Sequence, residues 1–563
     1  MQRRDVSVAL FASAAGSTLL TQRATAQSCT APCFARTAAE VNSGVTPTNT
    51  QYSPDHVGYD VRRTGATGLG SADDSAAIAT AASVGSALYF AAGTYRVASS
   101  LVLGVPCLFD YRAVLKPDAG VTVTLNAPVI AGAYTIFNLA NAAAGSTPIQ
   151  GSLGGVDLLP QWWGVVADGD FNAGTGTDNA SALQSCINTA QLQQDKTNAA
   201  PNKIRIPAGI YRQESQVTVG DNIFIEGSGR YTTVFFTTTG VQSGLWLING
   251  TTGGSTTIQN LAIIGKINGV SGSGLVSKKN GLFLKDLWVA AFTSPSYPAV
   301  IIDSTDNFLE DSVFEYNAVG VLVSQCDVII SNCKSYNNSS YGYQIQNAAG
   351  ADPGRVTLDH CHSGQDGAVG FLVSSGSKHV TFNACDVSSP NAAYYTTAGF
   401  QIDGANDVVM SACTGILGAQ GTSGSGIYVS SSSTNVQING GTLTGFYYGL
   451  LTASATVLNV VGGLYSGNNQ YGIYINGGDQ TNLVGVCCNN NGVGGACLDA
   501  TQASSKHACQ SPMTNNNNGY GLVLNAASST AKINCIGSIA SGNTSGSIQS
   551  AGTVANIQVI GSL

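Results

Sequence analysis

Charge is scarce in this chain: Asp, Glu, Lys and Arg make up only 10% of its 563 residues. The 23 basic residues are outnumbered by 31 acidic ones, for a net charge of −8, and no dense Lys/Arg face occurs anywhere. An electrostatic footprint for phosphate backbones is therefore missing, and nucleic acid is not expected as a partner. Beyond the first two dozen residues nothing approaches the roughly 18 consecutive apolar residues of a membrane-spanning helix, so no membrane span is expected in the mature protein. The five histidines do not fall at ligand spacing beside cysteines, which argues against a zinc-type metal site. Heptads, the leucine-rich template and a period of about 40 residues are lacking too, so coiled coils, leucine-rich solenoids and propellers are set aside.

What is abundant is glycine, 69 residues, and it is periodic. An alternating strand follows each of Gly320, Gly342, Gly370, Gly399, Gly426, Gly449 and Gly472, at intervals of 22, 28, 29, 27, 23 and 23 residues. A second short strand follows in each repeat, as in Val328/Ile330, Val356/Leu358, Val380/Phe382, Val408/Met410 and Val436/Ile438, then a tight turn and a third strand. Two-residue alternation at this period predicts an all-β fold: a right-handed, single-stranded parallel β-helix with three sheets per coil, each coil bonded to its neighbours about 4.8 Å away.

The first 26 residues read as an export signal. Arg3 and Arg4 precede a weakly apolar run from Val6 to Leu20, and Ala24-Thr25-Ala26 forms a small-residue cleavage site. The paired arginines resemble a twin-arginine signal, although Asp5-Val6-Ser7 departs from its usual continuation and leaves the ordinary secretory route open. A periplasmic or secreted bacterial protein is the expectation, with 27–56 as a linker. All 14 cysteines lie beyond the signal. Cys333, Cys361, Cys385 and Cys413 recur once per repeat and read as a ladder of small buried residues. Cys29 with Cys33, and the cluster Cys487, Cys488, Cys497 and Cys509, are the disulfide candidates.

One unit occurs twice upstream. Asp60-Val61, Gly65-Ala66, Asp73-Asp74 and Ala87 to Tyr95 are echoed by Trp163 to Val165, Asp168-Gly169, Thr177-Asp178 and Lys203 to Tyr211. Both encode strand, glycine loop, short helix and strand. In the second copy Asp178 can cap a helix whose Ala180, Leu183, Ile187 and Ala190 share one face, suited to covering the open end of the core. This yields a first capping unit at 57–160 and a main β-helix domain at 161–563. The paired units and the coils resemble the pectate-lyase-like superfamily, which includes rhamnogalacturonases, epimerase-like proteins and phage tailspike depolymerases. The resemblance implies an extended glycan lying along the outside of the helix, in a monomer or homotrimer. It leaves lyase, hydrolase, uronate epimerase and non-catalytic glycan-binding or tailspike-like protein open.

The residue two after each glycine should point outward. That column is Leu322, Gln344, Leu372, Gln401, Tyr428, Leu451 and Tyr474, with Trp246 earlier. Gln344, Gln401, Tyr428, Tyr474 and Trp246 are the candidate substrate contacts, amides for hydroxyls and aromatic faces for pyranose rings. An ordinary solvated sheet face is the alternative. In polygalacturonase-like hydrolases the catalytic acids lie just before such glycines. Here those positions are Val319, Tyr341, Val369, Ala398, Ser425, Tyr448 and Tyr471, so that chemistry is not expected at that place.

Ionisable groups gather instead between 303 and 407. Aligned by their second strands, Asn307, Asp327, Arg355, His379 and Asp407 form one column, with Asp303, Asp306, Asp352, Lys378 and Asp403 nearby. Asp327, Arg355, His379, Asp403 and Asp407 are the catalytic candidates: a base with a neutralising cation for β-elimination, or two acids for hydrolysis. A ladder of surface ion pairs is the alternative. Ca²⁺ enters only if the protein is a uronate lyase; no other cofactor is expected. Lys334, His362 and Asp386 make a second outward triplet on the third sheet, with Glu315 and Asp366 in adjoining turns. The asparagines at 337–338 and 515–518 suit tight turns.

Overall fold

A computed structural model of the chain describes residues 34–54, 57–142, 146–194, 203–250, 254–266, 268–346, 354–391, 393–455, 457–527, 530–552 and 557–561. The export-signal segment, Cys29, Cys33 and Asp352 lie outside these residues. The chain winds into a parallel β-helix. One 14-stranded sheet runs from Val217–Val219 to Gly546–Gly552, and a 27-stranded sheet is built from the second and third strands of successive coils. The three-strand coil expected from the repeat is therefore present. Its register is regular: Val328, Val356, Val380, Val408 and Val436 are successive partners. All five are buried, as are Ile330, Leu358, Phe382, Met410 and Ile438 two residues on. Inside the first sheet Tyr343, Phe371 and Phe400 stack face to face with centroids 4.8 and 4.9 Å apart, the spacing of adjacent parallel strands.

Three corners turn each coil, and all three place residues in the left-handed backbone region. The first corner holds Asp306, Asp327, His379, Asp407 and Asn435 at φ between 52° and 57°. The second holds Asp286, Asp311, Asn332, His360, Ala384 and Ala412, and the third holds Tyr316, Asn337 and Gln365, also at positive φ. Among non-glycine residues, Asn, Asp and His tolerate this conformation best. Much of the polar character of the corners is thus a backbone requirement.

Inside the third corner a side-chain ladder seals the turns. Asn468 N donates to Asn491 Oδ1 at 3.0 Å, Asn491 N to Asn517 Oδ1 at 3.0 Å, and Asn517 N to Asn543 Oδ1 at 3.0 Å. An earlier run links Asn317, Asn338 and Asp366: Asn317 N donates to Asn338 Oδ1 at 2.9 Å and Asn338 N to Asp366 Oδ1 at 2.9 Å. The asparagine runs therefore do two jobs. Asn337 and Asn516 take the strained turn position, while Asn338 and Asn517 point inward and bond one coil to the next.

The cysteine ladder is as expected. Cys333, Cys361, Cys385 and Cys413 are buried, and each thiol lies against a backbone carbonyl of the preceding coil, as Cys361 Sγ does with Ile330 O at 3.4 Å. The disulfide expectation for Cys487, Cys488, Cys497 and Cys509 is corrected: all four are free thiols. Cys488 and Cys509 are packed into the apolar core, the same use the ladder makes of cysteine.

The first helix, α1 (Ala38–Asn42), carries Glu40, which is fully buried and bonded to Arg63 Nε and Tyr59 Oη, both at 2.6 Å. Helix α2 (Ser75–Val84) packs near the N-terminal end. Helix α3 (Ala180–Gln194) buries Ala180, Leu183, Ile187 and Ala190, and Asp178 Oδ1 accepts from Ala180 N at 3.1 Å. The fold is compatible with the expected helix-containing N-terminal cap, while α3 itself lies within the stack. This helix touches strands on both sides, Ile149–Gln150 and Val217–Val219, because the first unit stacks onto the second through the Leu158–Ile204 bridge.

Asp366 takes an asparagine's place in the ladder. Burial pushes its carboxyl up to about 6, against the pull of Ser363, Asn338 and Ser335, which donate to it at 2.7 to 2.9 Å. A group whose folded pKa exceeds its ordinary value of 3.8 contributes fully below about pH 4, and its contribution falls as pH rises through 6. Asp366→Asn should therefore gain stability over the native protein between pH 4 and 7, reaching about 3 kcal/mol. Urea melts across that range test this; a pH-independent difference would refute it.

Candidate functional site

The outer face of the 14-stranded sheet carries the column read from the glycines. Leu322, Gln344, Leu372, Gln401, Tyr428, Leu451 and Tyr474 are consecutive register partners. Gln344, Gln401, Tyr428 and Tyr474 are half-buried, with their outer edges open to solvent. Trp246 is the exception and is corrected. It pairs with Leu275, in phase with Val300 and Val321, and its side chain is wholly inside, where Nε1 donates to Gln213 Oε1 at 3.1 Å. The outward residue of that strand is Leu247, because no glycine of the later type sets the phase there.

Those glycines matter for a specific reason. A Cβ on Gly342 would meet Asp366 Oδ2 at 2.4 Å and Gly370 O at 2.7 Å. Alternation therefore breaks at the glycine: Gly342 and Tyr343 are both buried, while Tyr341 and Gln344 on either side are partly open to solvent. Counting positions of one kind misses the result. Tyr448 and Tyr471, which precede glycines, join Tyr474 on the outer face, with ring centroids of both 5.6 Å from that of Tyr474. Tyr447 meets Tyr448 edge to face at 4.9 Å. Burial pushes the Tyr474 hydroxyl up to about 12, so this phenol is a neutral donor at ordinary pH. The recurrent Tyr-Gly pair was the available signal.

The charged column lies at the first corner, beside the end of these strands. Asp327, Arg355, His379 and Asp407 each precede a mutually paired residue, Val328, Val356, Val380 and Val408. The structure therefore brings these four together along the axis. Asn307 does not belong. It pairs with Val328, one residue out of phase, and its buried amide accepts from Leu282 N at 2.9 Å; Asp306 takes its place in the column. His379 Nδ1 lies 3.5 Å from Asp407 Oδ2, and Asp407 is also bonded to Asn435 Nδ2. Arg355 is exposed, and its backbone N donates to Asp327 Oδ1 at 3.3 Å. Asp403 directly follows the neighbouring strand (Ala398–Ile402), half-buried, four residues before Asp407. Asp327 and Asp407 are three coils apart, roughly 14 Å.

The third-sheet triplet is a true column as well, since Lys334, His362 and Asp386 are register partners. His362 Nδ1 meets Asp386 Oδ2 at 2.6 Å, and Gly364 leaves room for Tyr336, whose ring centre lies 6.0 Å from that of His362. Glu315 lies two coils earlier, its carboxyl raised by burial against a pull from Trp288. Asp366, by contrast, is structural. Among the described residues no group of three His, Cys, Asp or Glu is placed to hold a metal ion. No helix of the described residues is long and apolar enough to cross a membrane.

The geometry defines a right-handed parallel β-helix protein. Residues 214–387 and 298–463 match the family described as a right handed beta helix region. Solved structures similar to this chain include the A-module of the Azotobacter vinelandii mannuronan C-5 epimerase AlgE4, at 14% identity and a TM-score of 0.45, covering 70% of this chain and all of that one. The catalytic unit of the GH87 α-1,3-glucanase of Streptomyces thermodiastaticus is 12% identical, with a TM-score of 0.39 and coverage of 72% and 68%. Tailspike protein 3 of bacteriophage CBA120 is 13% identical, with a TM-score of 0.39 and coverage of 72% and 61%. No curated protein matches the sequence.

Because Trp246 is core, Trp246→Ala should cost about 3–5 kcal/mol in a denaturant melt. Its fluorescence should be unmoved by any glycan bound on the outer face, and quenching by a glycan assigned to Trp246 through the Trp246→Phe variant would show the face to be misplaced.

Proposed function

We propose that this chain holds an extended polysaccharide along the outer face of the 14-stranded sheet and acts on it by proton abstraction at the Arg355, His379 and Asp407 corner. The observation that carries the reading is the outward column in which Gln344, Gln401, Tyr428 and Tyr474 are interspersed with Leu372 and Leu451, widened by Tyr448 and Tyr471. Amides and stacking rings at the spacing of successive coils suit a ribbon of sugars better than a compact ligand. The export-type segment at 1–26 accords with a substrate met outside the cytoplasm.

At the corner, Arg355 supplies the cation that neutralises a uronate carboxylate and so acidifies the neighbouring C5 proton. His379 accepts that proton, and Asp407, facing Nδ1, orients the ring and stabilises the imidazolium. Elimination and C5 inversion share this first step. Hydrolysis by Asp327 and Asp407 is disfavoured, since roughly 14 Å exceeds the 5–9.5 Å over which paired carboxyls work. The contrary reading, a glycan-binding surface without turnover, draws on the backbone: Asp327, His379 and Asp407 all occupy left-handed positions that select their residue types regardless of chemistry.

Incubation with alginate, pectate and glucuronate-bearing exopolysaccharides separates the two. The expectation is unsaturated ends by absorbance or inverted C5 centres by proton NMR, with kcat/KM lowered about 10²–10⁴-fold by His379→Ala. Tyr428→Ala and Tyr474→Ala should each weaken glycan binding roughly fivefold, about 1 kcal/mol. Binding with unchanged chain length and stereochemistry would establish the surface without the reaction. Full activity in His379→Ala would move the chemistry to His362 and Asp386.

A further inference from the structure

A cleft lies away from the groove, where the first N-terminal unit meets the second. Its larger hollow, about 680 Å³, is walled by Tyr111, Arg112, Tyr134, Thr135, Gln161 and Tyr211. A second hollow of about 440 Å³ shares Thr94, Val114 and Thr135 with it and continues to Trp163 and Asn138. Volumes of this size hold one sugar residue or a short run of them. Tyr111 is 60% exposed and stands edge to face with Tyr134, ring centres 5.5 Å apart. Tyr134 is pinned by its hydroxyl, which donates to Phe109 O at 2.7 Å. Gln161 is anchored by Nε2, which donates to Tyr211 Oη at 3.2 Å, while its buried Oε1 and the buried Nε1 of Trp163 have no hydrogen-bond partner among the described residues.

Arg112 is the one charged residue lining the larger hollow, and Asp178 lines the smaller one. The Arg112 guanidinium lies 5.3 Å from the Tyr111 ring centre, no carboxylate among the described residues pairs with it, and the larger hollow is lined by no acid. Its backbone sits at φ 68°, in a turn closed by Ala113 N donating to Asp110 O at 2.9 Å. Glycine or asparagine would fit this position with less strain. Arg112 thus brings a cation without a carboxylate partner beside two tyrosines at the larger hollow.

We infer that this cleft is a second carbohydrate site, specific for a sugar bearing a carboxylate, in which Arg112 takes the carboxylate and Tyr111 and Tyr134 pack against the ring. None of its residues belongs to the groove or the charged corner, so it stands independently of the reading above. It would hold one acidic residue of a chain at the N-terminal end of the stack, apart from the long face.

Calorimetric titration of the full chain with trimers of galacturonate, mannuronate and glucuronate, against neutral maltotriose, tests it without any turnover. At least one acidic trimer should bind more tightly than maltotriose. Arg112→Asn, a residue suited to the turn, should lose about tenfold or more of that affinity with melting temperature unchanged or raised, and Tyr111→Ala should weaken it as well. In a Tyr428→Ala, Tyr474→Ala background, where the outer face itself binds more weakly, Arg112→Asn should still lose about tenfold or more of the remaining affinity. The inference is overturned if no acidic trimer binds at millimolar concentration, if Arg112→Asn binds as tightly as the native chain, or if affinity follows the groove tyrosines instead.

Discussion

Everything in this molecule hangs on coil-to-coil register in two long parallel sheets. A strand paired at both edges has no freedom to slip by one residue without turning its apolar set outward, so each coil fixes the phase of the next. The interior asparagine run and the stacked Tyr343, Phe371 and Phe400 add side-chain bonds and ring contacts at the same repeat distance. Residues distant in sequence thereby become neighbours along an axis, and a site on this fold is a line of equivalent positions rather than a pocket.

That geometry has two different effects on where charge can sit. At the corners the left-handed backbone selects Asp, Asn and His, so a charged column arises without any demand from a ligand. On the sheet face the backbone asks nothing of the outward residue, and tyrosines and glutamines there carry more information about a partner. Arg112 is informative for a third reason: it stands without a carboxylate partner beside a hollow that no acid lines.

The winding and its period were legible because glycine spacing and two-residue alternation are local signals. The buried cysteine ladder was legible for the same reason, as were the inward face of α3 and the Gln344 to Tyr474 column. Trp246 was misjudged because its strand lacks the phase-setting glycine, and Asn307 because a one-residue offset exchanges the inside for the corner. Tyr448 and Tyr471 were overlooked as ring contacts because two consecutive inward residues violate simple alternation. The N-terminal cleft had no sequence signature at all. It joins residues from Thr94 to Tyr211 across the seam between two stacked units, and only three-dimensional proximity assembles it.

The row of inward thiols gives the stack a built-in ruler. Cys333, Cys361, Cys385 and Cys413 mark four successive coils, each sulfur shielded by the carbonyl of the turn before. A neighbour-coupled array opens by fraying or by local parting of adjacent turns. A small alkylating reagent would then modify these sulfurs in the order in which the turns part, reporting the sequence of unwinding from inside the protein.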